Sequence, residues 1–257
     1  MAHSSKPTTG QAVTISKQDF DAVIFDMDGV VTDTASVHAA AWKQLFDDYL
    51  RERDGAAYTP FDADQDYRRY VDGKPRYDGV AMFLESRGIS IPYGDPNDPP
   101  EQETACGLGN RKNGYFTQRL EEQGVQAFPS TVALIEQLRA ASVKTAIFSA
   151  SKNCEAVLRA GGVRDLFEVK VDGVEAEERG LAGKPDPAVL LEAARRLGVS
   201  PDRSVIVEDA IAGVQAGRAG GFALVIGVNR SDEPGVLTAN GATVEVTDLA
   251  AVSFADH

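Results

Sequence analysis

The chain has 257 residues, a length that favours one main domain with a smaller companion, and with 43% hydrophobic and 25% charged residues it can bury a sizeable core. Its 26 Lys and Arg against 39 Asp and Glu give a net charge of −13, which repels polyanions at long range and argues against a nucleic-acid or anionic-membrane partner. No run approaches the ~18 to 20 apolar residues of a membrane span. Cys106 and Cys154 can form neither a disulfide framework nor a four-thiolate zinc site, and His3, His38 and His257 are too scattered to suggest a metal centre. The expectation is a cytoplasmic monomer.

Residues 1–17 are polar and without period, which predicts a loose leader. Strand-length apolar runs follow at 22–25, 144–148, 167–171, 204–207, 222–226 and 243–246, nearly continuous as in a parallel sheet buried on both faces. Helix-period segments alternate with the later runs: Leu134, Ile135 and Leu138, then Leu190, Leu191, Ala194 and Leu197, then 210–219. The gap between the first two runs is too long for a connection and carries helical pattern at 35–53, 77–86 and 101–122. These features predict an α/β fold: a Rossmann-like parallel-sheet core over 18–35 and 127–257, with an inserted helical cap at 36–126. Within the insert, 92–100 reads as a Pro-rich loop, and in the core 173–183 reads as a long loop.

In an open parallel sheet, ligands sit beyond the carboxyl ends of the strands. Four places there are polar together: Asp26 to Asp33 after the first run, Ser149 to Asn153 after the second, Gly183-Lys184-Pro185 before a later helix, and Glu208-Asp209 after the fourth. Singly, each could be a turn or cap. Together they supply oxygen ligands for Mg²⁺ and a hydroxyl and ammonium for phosphoryl oxygens. Asp26 and Asp28, two apart, would share one face of a regular strand, one as nucleophile and the other as acid/base. Gly29 would let the chain turn sharply there.

DMDGVVTDT at 26–34, FSAS at 148–151, GKPDP at 183–187 and VEDAIAGVQAG at 207–217 resemble the four motifs of the haloacid dehalogenase superfamily. Within it, HAAAW at 38–42, DGKPR at 72–76, RKN at 111–113 and SASKN at 149–153 are similar to the β-phosphoglucomutase branch. The resemblance implies that Asp26 attacks phosphorus and becomes an aspartyl phosphate, while Asp28 serves as general acid and base. It implies Mg²⁺ among Asp26, the Asp28 carbonyl, Glu208 and Asp209. Ser149, the Ala150 backbone and Lys184 would hold the transferring group. Arg76, Ser151, Lys152 and Asn153 would take a second phosphate, with His38 and Lys112 arranging the sugar and closure and Thr34 at the hinge. The implied partner is a small sugar phosphate, and the reaction interconverts β-glucose 1-phosphate and glucose 6-phosphate through a bisphosphate.

Other readings stay open or fail. His38, Trp42, Leu45 and Tyr49 form one helical stripe, so a core histidine is an alternative for His38, and a solvated helix face is the ordinary reading of Lys112. Asp72 stands where the branch commonly has a basic residue, which leaves the sugar open. A phosphatase of the same superfamily would share every core residue. An EF-hand starting at Asp26 would need Gly at Val31, and a Walker loop would need Ser or Thr at Pro185. A phospho-aspartate receiver would carry no helical insert.

Overall fold

The computed structural model describes residues 13–72, 74–231 and 233–256. His3, His257 and positions 1–12 of the expected leader lie outside the described residues. In chain order the elements are β1 (Val13–Ser16), β2 (Ala22–Asp26), α1 (Ala35–Asp54), α2 (Arg76–Ser86), α3 (Ala105–Gln123), α4 (Pro129–Ala140), β3 (Lys144–Phe148), α5 (Cys154–Ala160) and β4 (Val169–Val171). They continue with α6 (Gly173–Arg179), α7 (Ala188–Leu197), β5 (Ser204–Glu208), α8 (Ile211–Ala219), β6 (Leu224–Val228), α9 (Val236–Ala239), β7 (Val244–Val246) and β8 (Val252–Ala255). Two compact units result: one holds the described residues up to Asp33 and from Gln126 onward, the other Thr34–Val125.

The first unit is built on a six-stranded parallel sheet of order β4-β3-β2-β5-β6-β7. Every residue of β2 (AVIFD) and β5 (SVIVE) is buried, as expected where helices cover both faces. Ile24, Phe148, Ile206 and Val225 pack with Leu190 and Ala193 of α7 and Val214 of α8. Ala22 is in register with Lys144 on one side and Ser204 on the other, so the chain order reverses at β2. That reversal is where sheets of this kind bind ligands, and it puts Asp26, Ser149 and Glu208 at one edge.

Four sequence expectations need correction. The leader does not extend to residue 17: Val13–Ser16 pairs in parallel with Val252–Ala255, and Ile15 is wholly buried. A four-residue strand whose partner lies at the far end of the chain leaves no local signature. The 173–183 segment is not all loop, because Asp172 caps α6 by accepting from the amides of Val174 and Glu175. The 101–122 helix starts later, at Ala105, where the Thr104 hydroxyl accepts from Gly107. Asp26 and Asp28 do not share a strand face: β2 ends at Asp26, and Asp28 lies past its end in an isolated backbone bridge with Thr32.

The second unit packs α1 and α2 against α3. Trp42, Leu45 and Phe46 of α1 meet Phe83 and Leu84 of α2 and Leu108 of α3 in one apolar cluster. Phe46 lies 5.1 Å from Phe61 and 4.1 Å from Phe83 between ring centroids. Aromatic rings of this size dominate the burial energy of a small helical unit. Both cysteines are buried free thiols. No helix among the described residues is long and apolar enough to cross a membrane.

Candidate active site

At the carboxyl edge of the sheet, carboxylate oxygens of Asp26, Glu208 and Asp209 lie within 4.8 Å of one another. Lys184 reaches into the group, donating to Asp26 Oδ1 at 2.6 Å and Glu208 Oε2 at 2.7 Å. Its ammonium also sits 4.5 Å from the Phe148 ring centroid. Burial works against that charge, but Asp26 and Glu208 overcome it and raise the Lys184 pKa. Burial pushes the Asp26 carboxyl well up, Glu208 and Asp28 push it further, and Lys184 pulls it back. Asp209, partly exposed, is raised by burial and by Glu208 and Asp26. One lysine therefore faces an excess of carboxylate charge.

Two glycines make room for these acids. A Cβ on Gly213, in the first turn of α8, would fall 1.8 Å from Glu208 Oε2. Glu208 fits beneath that turn, and its Oε1 accepts the amides of Asp209 and Ala210 at 3.0 Å each. Gly29, at φ +77°, turns the chain beside Asp209. Further along α8, a Cβ on Gly217 would meet Val225 Cγ2 at 3.0 Å, so this glycine serves helix–sheet packing. The VEDAIAGVQAG segment thus reads physically as two acids followed by glycines one helical turn apart.

Ser149, buried after β3, donates to Asp28 Oδ2 at 3.4 Å and accepts from the Ser151 amide at 3.0 Å. The Ser151 hydroxyl in turn accepts from Asn153 N, and the Ser151 carbonyl from Gly173 N. A Cβ on Gly173 would lie 2.5 Å from the Ala150 carbonyl oxygen, so β4 and α6 press on this loop. Lys152 is exposed and ion-paired with Glu177 of α6. Asp26, Asp28, Ser149, Lys184, Glu208 and Asp209 are brought together; Lys152 points to a carboxylate of its own.

In the helical unit, Thr34 is buried at the start of α1, where its carbonyl accepts from His38 N. His38 stacks on Phe116 with centroids 4.2 Å apart and rings 9° from parallel, and its Nδ1 lies 2.7 Å from Lys112 Nζ. Since an ammonium only donates, Nδ1 is the acceptor and the ring proton belongs on Nε2. Burial, Lys112 and Arg76 together hold the His38 pKa well below its usual value. Lys112 is 4% exposed, under the rings of Trp42 and Phe116, so the solvated-face reading is overturned. Arg76 lies 5.9 Å from the Tyr77 ring centroid, and among the described residues it makes no ion pair. A Cβ on Gly109 would strike that Tyr77 ring at 2.7 Å. Lys112 and Arg76 thus place two cations beside a neutral His38 ring.

Sequence reasoning passed over Gly213 and Arg230. Arg230 lies two residues past β6 as Asp28 lies two past β2, so the strand-end rule applied to the polar Asn229-Arg230-Ser231 stretch would have found it.

Residues 20–221 match the family described as haloacid dehalogenase-like hydrolase, and the chain belongs to that family. It is 48% identical over 235 residues to the β-phosphoglucomutase of Mycobacterium tuberculosis (strain CDC 1551 / Oshkosh), covering 89% of this chain and 90% of that protein. A phosphorylated carbohydrates phosphatase of Thermotoga maritima is 28% identical over 213 residues, covering 82% and 86%. The crystal structure of β-phosphoglucomutase from Clostridium difficile matches with a TM-score of 0.68 at 25% identity, covering 90% of this chain and 92% of that one. The chain is an enzyme on the β-phosphoglucomutase-like branch of its family, and the expected fold class, a parallel-sheet core with an inserted helical domain, is the one found.

Proposed function

We propose that the enzyme is a Mg²⁺-dependent β-phosphoglucomutase, a cytoplasmic monomer that interconverts β-glucose 1-phosphate and glucose 6-phosphate through an aspartyl phosphate and a glucose 1,6-bisphosphate. The observation that carries the reading is the grouping of Asp26, Glu208 and Asp209 around Lys184 at the sheet edge. A donor set made only of oxygen, carrying more negative charge than one lysine offsets, fits a hard divalent cation. Asp26, Glu208, Asp209 and the Asp28 carbonyl would hold Mg²⁺, which when bound neutralises charge on the transferring phosphoryl group.

In the forward step an oxygen of Asp26 bonds to phosphorus, the bond from phosphorus to the sugar oxygen breaks, and Asp28 gives that oxygen a proton. In the return step the other sugar hydroxyl bonds to phosphorus, the bond from phosphorus to the Asp26 oxygen breaks, and Asp28 takes the hydroxyl proton. Ser149, the Ala150 amide and Lys184 bind the oxygens in flight, where fixed donors count most. A mutase also needs a second anion-binding group, for which the core unit offers donors at Ser151, Lys152 and Asn153 and the helical unit, separately, offers Arg76 and Lys112. The functions of the relatives support this reading: 48% identity over most of the chain joins it to a β-phosphoglucomutase.

The test is a single incubation with β-glucose 1-phosphate, Mg²⁺ and a trace of glucose 1,6-bisphosphate. Glucose 6-phosphate formed much faster than free phosphate supports the mutase. Free phosphate formed faster replaces it with a sugar-phosphate phosphatase, the activity named for the Thermotoga relative.

A further inference from the structure

The segment after the reacting acids is tied down from several sides. Gly29 N donates to the Thr32 carbonyl at 2.9 Å, and the Thr32 hydroxyl to the Met27 carbonyl at 3.2 Å. From the start of α4, Phe128 N donates to the Val31 carbonyl at 2.9 Å and the Thr131 hydroxyl to the Val30 carbonyl at 2.7 Å. One more bond comes from a residue outside every motif: Arg230 Nε donates to the Gly29 carbonyl at 2.9 Å. The Arg230 guanidinium lies 4.0 Å from the Phe128 ring centroid, so the arginine rests on a residue that itself holds the segment. Its own loop is built, not loose. Buried Asn229 donates to the Glu233 carbonyl and Glu245, and accepts from Ser231 N.

Gly29 is where this matters. Its peptide plane on the carboxyl side is set by Arg230, and its other face is closed by Asp209, since a Cβ there would lie 1.8 Å from Oδ2. Two planes meeting at one Cα are related by φ and ψ alone. The plane on the amino side, which carries the Asp28 carbonyl, is held by the Gly29 amide on the Thr32 carbonyl, so with both planes held φ and ψ at Gly29 are set, the Asp28 carbonyl keeps its direction and Asp209 keeps its place.

We propose that Arg230 is a positioning residue for phosphoryl transfer, holding the Gly29 carbonyl so that Asp28 and Asp209 keep their places around Asp26. The proposal rests on the reading of Asp26 and Asp28 as the reacting pair. Arg230 touches no reacting atom. Its effect falls on the geometry of the chemical step, where a displacement of about 1 Å can cost on the order of 10²-fold.

The experiment compares purified wild type with Arg230→Met and Arg230→Lys in Mg²⁺, using acetyl phosphate and β-glucose 1-phosphate in parallel. Met fills similar volume over Phe128 but donates nothing; Lys keeps a donor. Arg230→Met is expected to lose roughly tenfold or more in kcat on both substrates with KM within about twofold, and Arg230→Lys to recover most of the loss. An active wild type beside an Arg230→Met whose kcat is unchanged overturns the proposal alone, as does a loss that falls on KM only. If Arg230→Met does not fold, Phe128→Leu takes its place: it removes the ring under the guanidinium, a severalfold fall in kcat is expected, and an unchanged kcat overturns the proposal. A wild type that turns over neither substrate removes the Asp26 and Asp28 reading, and this proposal with it.

Discussion

Gly29 and Asp209 share a space that admits no side chain on residue 29: a Cβ there would lie 1.8 Å from Asp209 Oδ2 and 2.6 Å from its Cγ. The backbone at Gly29 is also in the left-handed region, at φ +77°. Gly29→Ala therefore meets two obstacles at once, a strained backbone costing about 1–3 kcal/mol and a displaced carboxylate. The expected result is a lower midpoint of thermal unfolding together with weaker Mg²⁺ binding by titration calorimetry. A variant with wild-type Mg²⁺ affinity would mean that Asp209 is free to move aside.

Asp209→Asn separates the cost of the acidic cluster from its use. Because the folded-state pKa of Asp209 is raised, the folded chain holds that proton more tightly than the unfolded chain, and ionising it costs stability as pH rises through the interval above 3.8. At neutral pH without metal, Asp209→Asn is thus expected to unfold at a higher temperature than wild type. Wild type should gain about 2.7 kcal/mol from Mg²⁺ at a hundred times its Kd, and the variant much less. Equal Mg²⁺ shifts in both proteins, read by calorimetric melting, would remove Asp209 from the ligand set.

His38 gives the opposite sign of pH dependence. Burial and two neighbouring cations hold its folded-state pKa well below 6.5, so the unfolded chain binds the proton first. The stability it contributes is complete above pH 6.5 and falls by ~1.4 kcal/mol per unit as pH drops below that value, until the folded-state pKa is reached. Urea unfolding of wild type and His38→Gln at pH 7.5, 6.5 and 5.5 checks this. The difference between them should be flat over the first interval and shrink over the second; a flat difference throughout would place His38 in an ordinary solvent-like setting.

Arg76→Ala distinguishes the second anion-binding group from the chemical step. On the proposed reading, in which Arg76 takes the second phosphate, removing its desolvated guanidinium should cost ~2–5 kcal/mol in kcat/KM for glucose 1,6-bisphosphate. Hydrolysis of acetyl phosphate, which has no second phosphate, should change by less than about threefold. Parallel losses on the two substrates would assign Arg76 to the fold of the helical unit.

The parts of the site that local chemistry dictates are legible in the sequence. A short, nearly continuous apolar run ending in an acid and bounded by turn residues, as in AVIFD and SVIVE, reads as a strand covered on both faces with its carboxylate at the edge. Lys112 was not legible in this way. Its Arg-Lys-Asn surroundings look solvated, and what buries it is His38, Trp42 and Phe116 converging from two helices. The β1 strand escaped for the same reason, since Val13 pairs with Val252 and nothing near either residue announces the other. Arg230 stands where the strand-end rule points, but what it holds was not legible, because its partner is a backbone carbonyl, which every residue possesses.

The position of β2 at the middle of the sheet also governs the order in which the chain can be completed on the ribosome. Val23 has Thr145 and Val205 as register partners, so the strand that ends in Asp26 is made early and waits, one edge then the other open, until both are synthesised. The helical unit, contained in Thr34–Val125, has all its own residues well before then. At about 5–20 residues per second the interval lasts several seconds, long compared with helix formation. The insert can fold while β2 is still unpaired, and the cluster of Asp26, Glu208 and Asp209 assembles only when the last two emerge.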